Sequence, residues 1–149
     1  MALIVVGVDH SEAAKAALRF ALEEAKLREA TLRVVHAWQY GYIGATGPEG
    51  AYPAVGGDIK ELRDAAATAL EETLQESTAD METMEVERRV VQGRAAAALV
   101  DESRDADLLV VGSRGHGGFA GLLLGSVSQQ CAHHATCPVA IVPNGDRPG

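Results

Sequence analysis

Asp107-Leu108-Leu109-Val110-Val111-Gly112-Ser113-Arg114-Gly115-His116-Gly117-Gly118-Phe119-Ala120-Gly121-Leu122-Leu123-Leu124-Gly125-Ser126 is the stretch from which the rest of the chain can be read. It opens on a short aliphatic run bounded by Asp107 and Gly112, the pattern of a strand buried on both faces. Six glycines follow between Gly112 and Gly125. Ser126 to His134 then reads as a helix. Strand, glycine-rich turn and helix make one half of a βαβ unit, and Pro138 to Val142 supplies its second strand.

Working outward, the same alternation fills the chain. Leu3 to Val8 is a β-branched run read as a first strand. Ser11 is a good helix N-cap, and Ala14, Ala17, Leu18, Ala21, Leu22 and Ala25 recur at helical spacing to about Ala30. Leu32 to Ala37 is a second strand. Asp58 to Ser77 is a helix with Leu62, Ala66, Leu70 and Leu74 on one face. Glu85 to Val91 is a third strand, and Ala95 to Ser103 a third helix. Five strands alternating with four helices require right-handed crossovers. The expected fold is α/β: a single three-layer domain over residues 1–149, with a five-stranded parallel sheet in the order 3-2-1-4-5 and helices on both faces. Trp38 to Gly57 interrupts the pattern. It carries six glycines, two prolines and four of the six aromatics, and reads as a long functional loop, a lid or a partner surface.

Composition narrows the function. Aromatics are only 4% of 149 residues, so the core is aliphatic. Thirteen Lys and Arg against 21 Asp and Glu give a net charge of −8, which argues against nucleic-acid and anionic-membrane partners. Yet no Asp or Glu occurs from Leu108 to Gly145, where Arg114, His116, His133 and His134 lie. Clearing carboxylates from one segment of an acidic chain suits an anion, which a nearby carboxylate would repel. No apolar run reaches the ~20 residues of a membrane helix. The start lacks a basic leader, so a cytoplasmic protein is expected.

In an open parallel sheet, ligands bind beyond the carboxyl ends of the strands where strand order reverses. Two turns reach that crevice: Asp9-His10-Ser11 after the first strand and Gly112 to Ser126 after the fourth. Glycines let backbone N–H groups approach phosphate, and the helix that follows offers free N–H groups at its positive end. Ser126 is placed to bond a phosphate oxygen or to cap that helix. There is no Gly-Lys pair, so the P-loop motif is excluded. Gly115-x-Gly117-x-x-Ala120 matches a dinucleotide fingerprint loosely, but no acid follows ~20 residues on. Cys131, His133, His134 and Cys137 do not share a helix face, and no metal site is assigned to them. Asp9-His10-Ser11 are adjacent and are read as a helix cap rather than a catalytic relay.

Gly112-x2-Gly115-x9-Gly125-Ser126, with Ile4 to Ser11, Val110 to Gly115, Gly125 to Ser128 and Cys137 to Pro143 around it, resembles the universal stress protein family in its ATP-binding branch. The resemblance runs the length of the chain. Gly7, a lone glycine inside a strand, suits close backbone approach of a ligand or tight packing against a helix. The resemblance implies that Asp9 accepts from the adenine amino group. Ala37 then holds an adenine-contact position where the family usually has a larger aliphatic residue. It further implies that Gly112, Ser113, Arg114, Gly115, His116 and Gly117 line the phosphates, and that Gly125, Ser126 and Ser128 close on them. The implied cofactor is ATP, with Mg2+ or Mn2+ held mainly by the phosphates. The implied role is a stress-linked sensor or regulator with little or no hydrolysis. A slow nucleotide hydrolase or nucleotidyl-transfer enzyme and a nucleotide-free dimeric stress module are the alternatives. No catalytic residue is assigned. A homodimer is expected through Pro138 to Val142, an uncharged edge strand.

Overall fold

Ile4, Val5 and Val6 are each fully buried, so the first strand is covered on both faces, as the unbroken aliphatic run requires. The structure is a computed structural model that describes residues 2–9, 11–38, 59–77, 84–113 and 125–143. Its elements are β1 (Leu3–Gly7), α1 (Glu12–Arg28), β2 (Thr31–Trp38), α2 (Ile59–Ser77), β3 (Val86–Gln92), α3 (Ala95–Glu102), β4 (Leu108–Gly112), α4 (Ser126–His134) and β5 (Val139–Val142). The five strands form one sheet in the order β3-β2-β1-β4-β5, and every neighbouring pair is parallel. This is the expected architecture.

The period-2 alternation of each strand sorts the core into two layers. Ile4, Val6, Leu32, Val34, Leu108 and Val110 pack with Leu18 and Leu22 of α1 and Leu70 and Leu74 of α2. Val5, Val35, Leu109 and Val111 pack on the opposite side with Leu99 of α3 and Cys131 of α4. Strand order therefore reverses between β1 and β4, with one helix layer on each face.

Local signals set the element ends. Ser11 caps α1, its Oγ accepting from the Ala14 N–H at 3.0 Å. Lys26 and Arg28 lie in the last turn, where cations favour the negative helix end. Glu29 then adopts a left-handed conformation, φ 53°, and stops the helix. At the amino end of β4, Asp107 accepts from the Leu3 N–H through Oδ2 at 2.8 Å and ties the two central strands together.

One boundary differs from expectation. The second strand continues past Ala37, so Trp38 is its last residue and not the first of the loop. Its side chain is 3% exposed and its carbonyl accepts from the Gly93 N–H at 2.8 Å. A large aromatic on the face that carries Leu32 and Val34 gains more from burial than from leaving the sheet. The remainder of the expected loop, 39–57, falls outside the described residues.

Candidate functional site

The switch point is built from the carboxyl ends of β1 and β4 and the amino end of α4. On β1, Gly7 is followed by Val8, whose N–H donates to the Val35 carbonyl at 3.0 Å and prolongs the ladder. Asp9 then turns the chain into α1. Its Oδ1 accepts from the Ser11 N–H at 3.1 Å and from the Ser11 hydroxyl at 2.6 Å. The half-buried carboxylate is thus fixed at the mouth of the crevice by the same serine that caps α1.

Gly7 and Gly112 have packing reasons to be glycine. A Cβ on Gly7 would meet Leu99 Cδ1 at 2.6 Å, so α3 presses on the end of β1. A Cβ on Gly112 would stand 2.8 Å from the backbone C and O of Ala13. The first turn of α1 therefore rests directly on the end of β4. These contacts seat one helix from each layer at the switch point.

The segment between β4 and α4 leaves at Ser113 and returns at Gly125, and those two residues touch. The Gly125 N–H donates to the Ser113 carbonyl at 2.7 Å. The Ser113 N–H in turn donates to the Val142 carbonyl of β5 at 2.8 Å. Ser128, 1% exposed, places its Oγ 3.0 Å from the Gly125 carbonyl and 3.3 Å from the Ser113 carbonyl. Gly125 is the N-cap of α4, with φ −73° and ψ 168°, and it has no side chain to cap the first turn. Ser126 is the exposed first residue of the helix, so Gly125 and not Ser126 is the N-cap. Among the described residues no side chain caps the opening amides of α4, which form a positive end beside the β4 terminus.

Ala37 is the penultimate residue of β2, opposite Val91 of β3, and is half-buried on the face that Val35 shares with Leu99. It lies on the same face as the Gly7–Leu99 contact. Arg114, Gly115, His116 and Gly117 fall outside the described residues.

Two residues at this end of the sheet were missed. His36 is 8% exposed, with Nδ1 3.0 Å from the Val8 carbonyl. A carbonyl only accepts, so Nδ1 carries a proton. The Trp38 Nε1 is buried without a hydrogen-bond partner among the described residues. Strand alternation places both side chains on the α1 and α2 face; for Trp38 the glycine-rich run that follows it obscures this signal in the sequence.

Cys131 is fully buried, and loss of solvent pushes its thiol up to about 11, with a smaller contribution from Cys137. Burial also raises Cys137, while the Ser103 hydroxyl pulls it back. Thiols held neutral in this way are poor metal ligands and nucleophiles. Among the described residues, no group of three or more His, Cys, Asp or Glu side chains could hold a metal ion.

Residues 1–143 match the Universal stress protein family. The chain belongs to that family. A universal stress protein of Mycolicibacterium smegmatis is 35% identical over 139 residues, covering 93% of this chain and 45% of its own length. The chain spans about half the length of the curated relatives it matches. A universal stress protein solved in complex with cAMP superposes with a TM-score of 0.65 at 27% identity, covering 97% of this chain and 98% of its own. The universal stress protein of Archaeoglobus fulgidus, solved with dAMP, does so with a TM-score of 0.56 at 28% identity, covering 95% of this chain and 98% of its own. Membership in this family accords with the five-stranded parallel sheet. Among the described residues no helix is long and apolar enough to cross a membrane.

Proposed function

We propose that this universal stress protein is an adenine-nucleotide-binding module whose ligand is ATP. The observation that carries the reading is the amino end of α4, without a side-chain cap among the described residues, set against the β4 terminus at the strand-order switch with Gly125 bonded to Ser113. Such an end favours an anion by about 0.3–1 kcal/mol when exposed and more when partly buried. The cAMP and dAMP bound by two relatives support an adenine nucleotide as the ligand class.

In this reading the Asp9 carboxylate, steadied by Ser11, accepts from the adenine amino group. Gly7 and Ala37 border the base. Gly112 and Ser113 line the phosphates, and the backbone amides of Gly115 and Gly117, with the Arg114 guanidinium and the His116 ring, take them. Gly125 and Ser126 meet them from α4, with Ser128 behind. A divalent cation, Mg2+ or Mn2+, is held mainly by the phosphates, since the stretch from Leu108 to Gly145 carries no carboxylate to ligate it. The module acts in the cytoplasm as a homodimer and regulates by occupancy. The sequence has no Gly-Lys pair of a P-loop, and in this reading turnover falls far below the ~10 s⁻¹ median of enzymes.

Two measurements test this. Mass spectrometry of the denatured purified protein should find a co-purified adenine nucleotide. ATP should raise the melting temperature of the wild type, equivalent to about 2.7 kcal/mol at one hundred times the dissociation constant. It should not raise that of Gly115→Val, where a side chain would displace phosphate. A folded Gly115→Val protein that keeps the full ATP-dependent shift would place the anion elsewhere. Turnover at ordinary enzyme rates would favour the hydrolase alternative.

A further inference from the structure

We propose that Ser128 is a positioning residue that closes the neck between β4 and α4, and so sets the α4 amides for phosphate before any ligand arrives. The proposal rests on the nucleotide reading above. Its geometry is a small polar cluster. The Ser113 carbonyl accepts from the Gly125 N–H at 2.7 Å and faces the Ser128 hydroxyl at 3.3 Å, while the Ser113 N–H is held by Val142 at 2.8 Å. Ser128 Oγ also lies 3.0 Å from the Gly125 carbonyl.

A serine bonding the carbonyl three residues before it is common at helix starts and would explain the Gly125 contact alone. The Ser113 contact, fifteen residues away in sequence, is different, because it ties the first turn of α4 to the end of β4. The hydroxyl has one proton to share between two carbonyls, and at 1% exposure no bulk water replaces it. Its hydrogen faces the neck and not the crevice, so Ser128 acts through Ser113 and Gly125 rather than by touching the ligand. Fixing both ends of a connection before binding lowers the ordering cost that binding must meet. That benefit falls on the phosphate end of the ligand, because Asp9 and Ala37 belong to β1, β2 and the α1 turn.

The test uses Ser128→Ala and Ser128→Thr in the full chain, with two readouts. In ligand-free protein, Ser128→Ala should raise amide hydrogen exchange at Gly125, and Ser128→Thr should not. In calorimetry, Ser128→Ala should weaken ATP about three- to tenfold, the loss of one hydrogen bond. Adenosine, read by competition, should change less than about twofold, and Ser128→Thr should restore ATP affinity. Unchanged exchange at Gly125, unchanged ATP affinity, or equal losses for ATP and adenosine would each overturn the proposal. Wild-type protein that binds neither compound overturns the nucleotide reading instead, and the exchange at Gly125 then decides whether Ser128 holds the neck.

Discussion

Gly7 and Gly112 are both glycines at strand ends beside the crevice, yet their neighbours differ in how far they can yield. The absent Cβ of Gly112 would collide with the backbone of Ala13, which moves only if α1 moves. That of Gly7 would meet the terminal carbons of Leu99, which can rotate away. Gly112→Ala is therefore expected to cost about 1–3 kcal/mol as an overpacked contact, and Gly7→Ala less. Urea unfolding of the two variants checks the order; equal losses would mean that α1 tolerates displacement. Cys131 gives a pH dependence of known sign. Its thiol stays neutral in the folded chain up to about 11 and ionises near 9 when unfolded. Between those values the unfolded chain has lost the proton that the folded chain keeps, so stability falls as pH rises from about 9 through 11. Cys131→Ala should flatten that decline in urea titrations at pH 8.5 and 10.5, even though it lowers stability overall by opening a small cavity.

At the scale of elements, the amino end of α1 combines a cap with a candidate ligand contact. Ser11 accepts from Ala14 and donates to Asp9, so one hydroxyl stabilises the helix and orients the carboxylate. Ser11→Ala should lower stability by about 0.5–2 kcal/mol, in the range of lost serine caps. It should also weaken ATP, because Asp9 loses the group that steadies it. A variant that loses stability and keeps full affinity would separate the two roles. The elements were legible from the sequence because each strand is an aliphatic run and each helix has a regular apolar stripe. Trp38 was misplaced because it stands directly before a glycine-rich run, and only burial on the α1 and α2 face draws it into β2. At the site, topology alone places Asp9 and Ser113 after the neighbouring strands β1 and β4. It could not tell which way the Ser128 hydroxyl turns, since a ligand contact and a bond to Ser113 need the same spacing. Nor could spacing separate glycines that admit a ligand from glycines that admit a helix. That distinction depends on Ala13 and Leu99, which are remote in sequence.

For the whole molecule, the sheet has two unlike edges. β3 carries Arg88 and Arg89, paired with Glu71 and Glu102, and its exposed charges discourage further pairing. β5 carries Val139, Ala140, Ile141 and Val142, all half-buried and uncharged. The Pro138 carbonyl accepts from Leu109 and the Val142 carbonyl accepts from Ser113, so these residues turn their polar groups toward β4. Polar groups alternate sides along a strand, and those of Ala140 therefore face β4 as well, while those of Val139 and Ile141 face outward. A second copy related by a two-fold axis could pair with those outward groups antiparallel and cover the edge of both sheets. Wild-type protein should then sediment as a dimer. Ile141→Pro removes an outward N–H and leaves the β4 ladder its donors, so it should give a folded monomer by sedimentation and circular dichroism. A folded Ile141→Pro protein that remains dimeric would show that the two-fold contact lies elsewhere. Because Val142 also holds Ser113, a β5-edge dimer would brace the neck of the proposed nucleotide site, and the monomeric variant should bind ATP more weakly than the dimer.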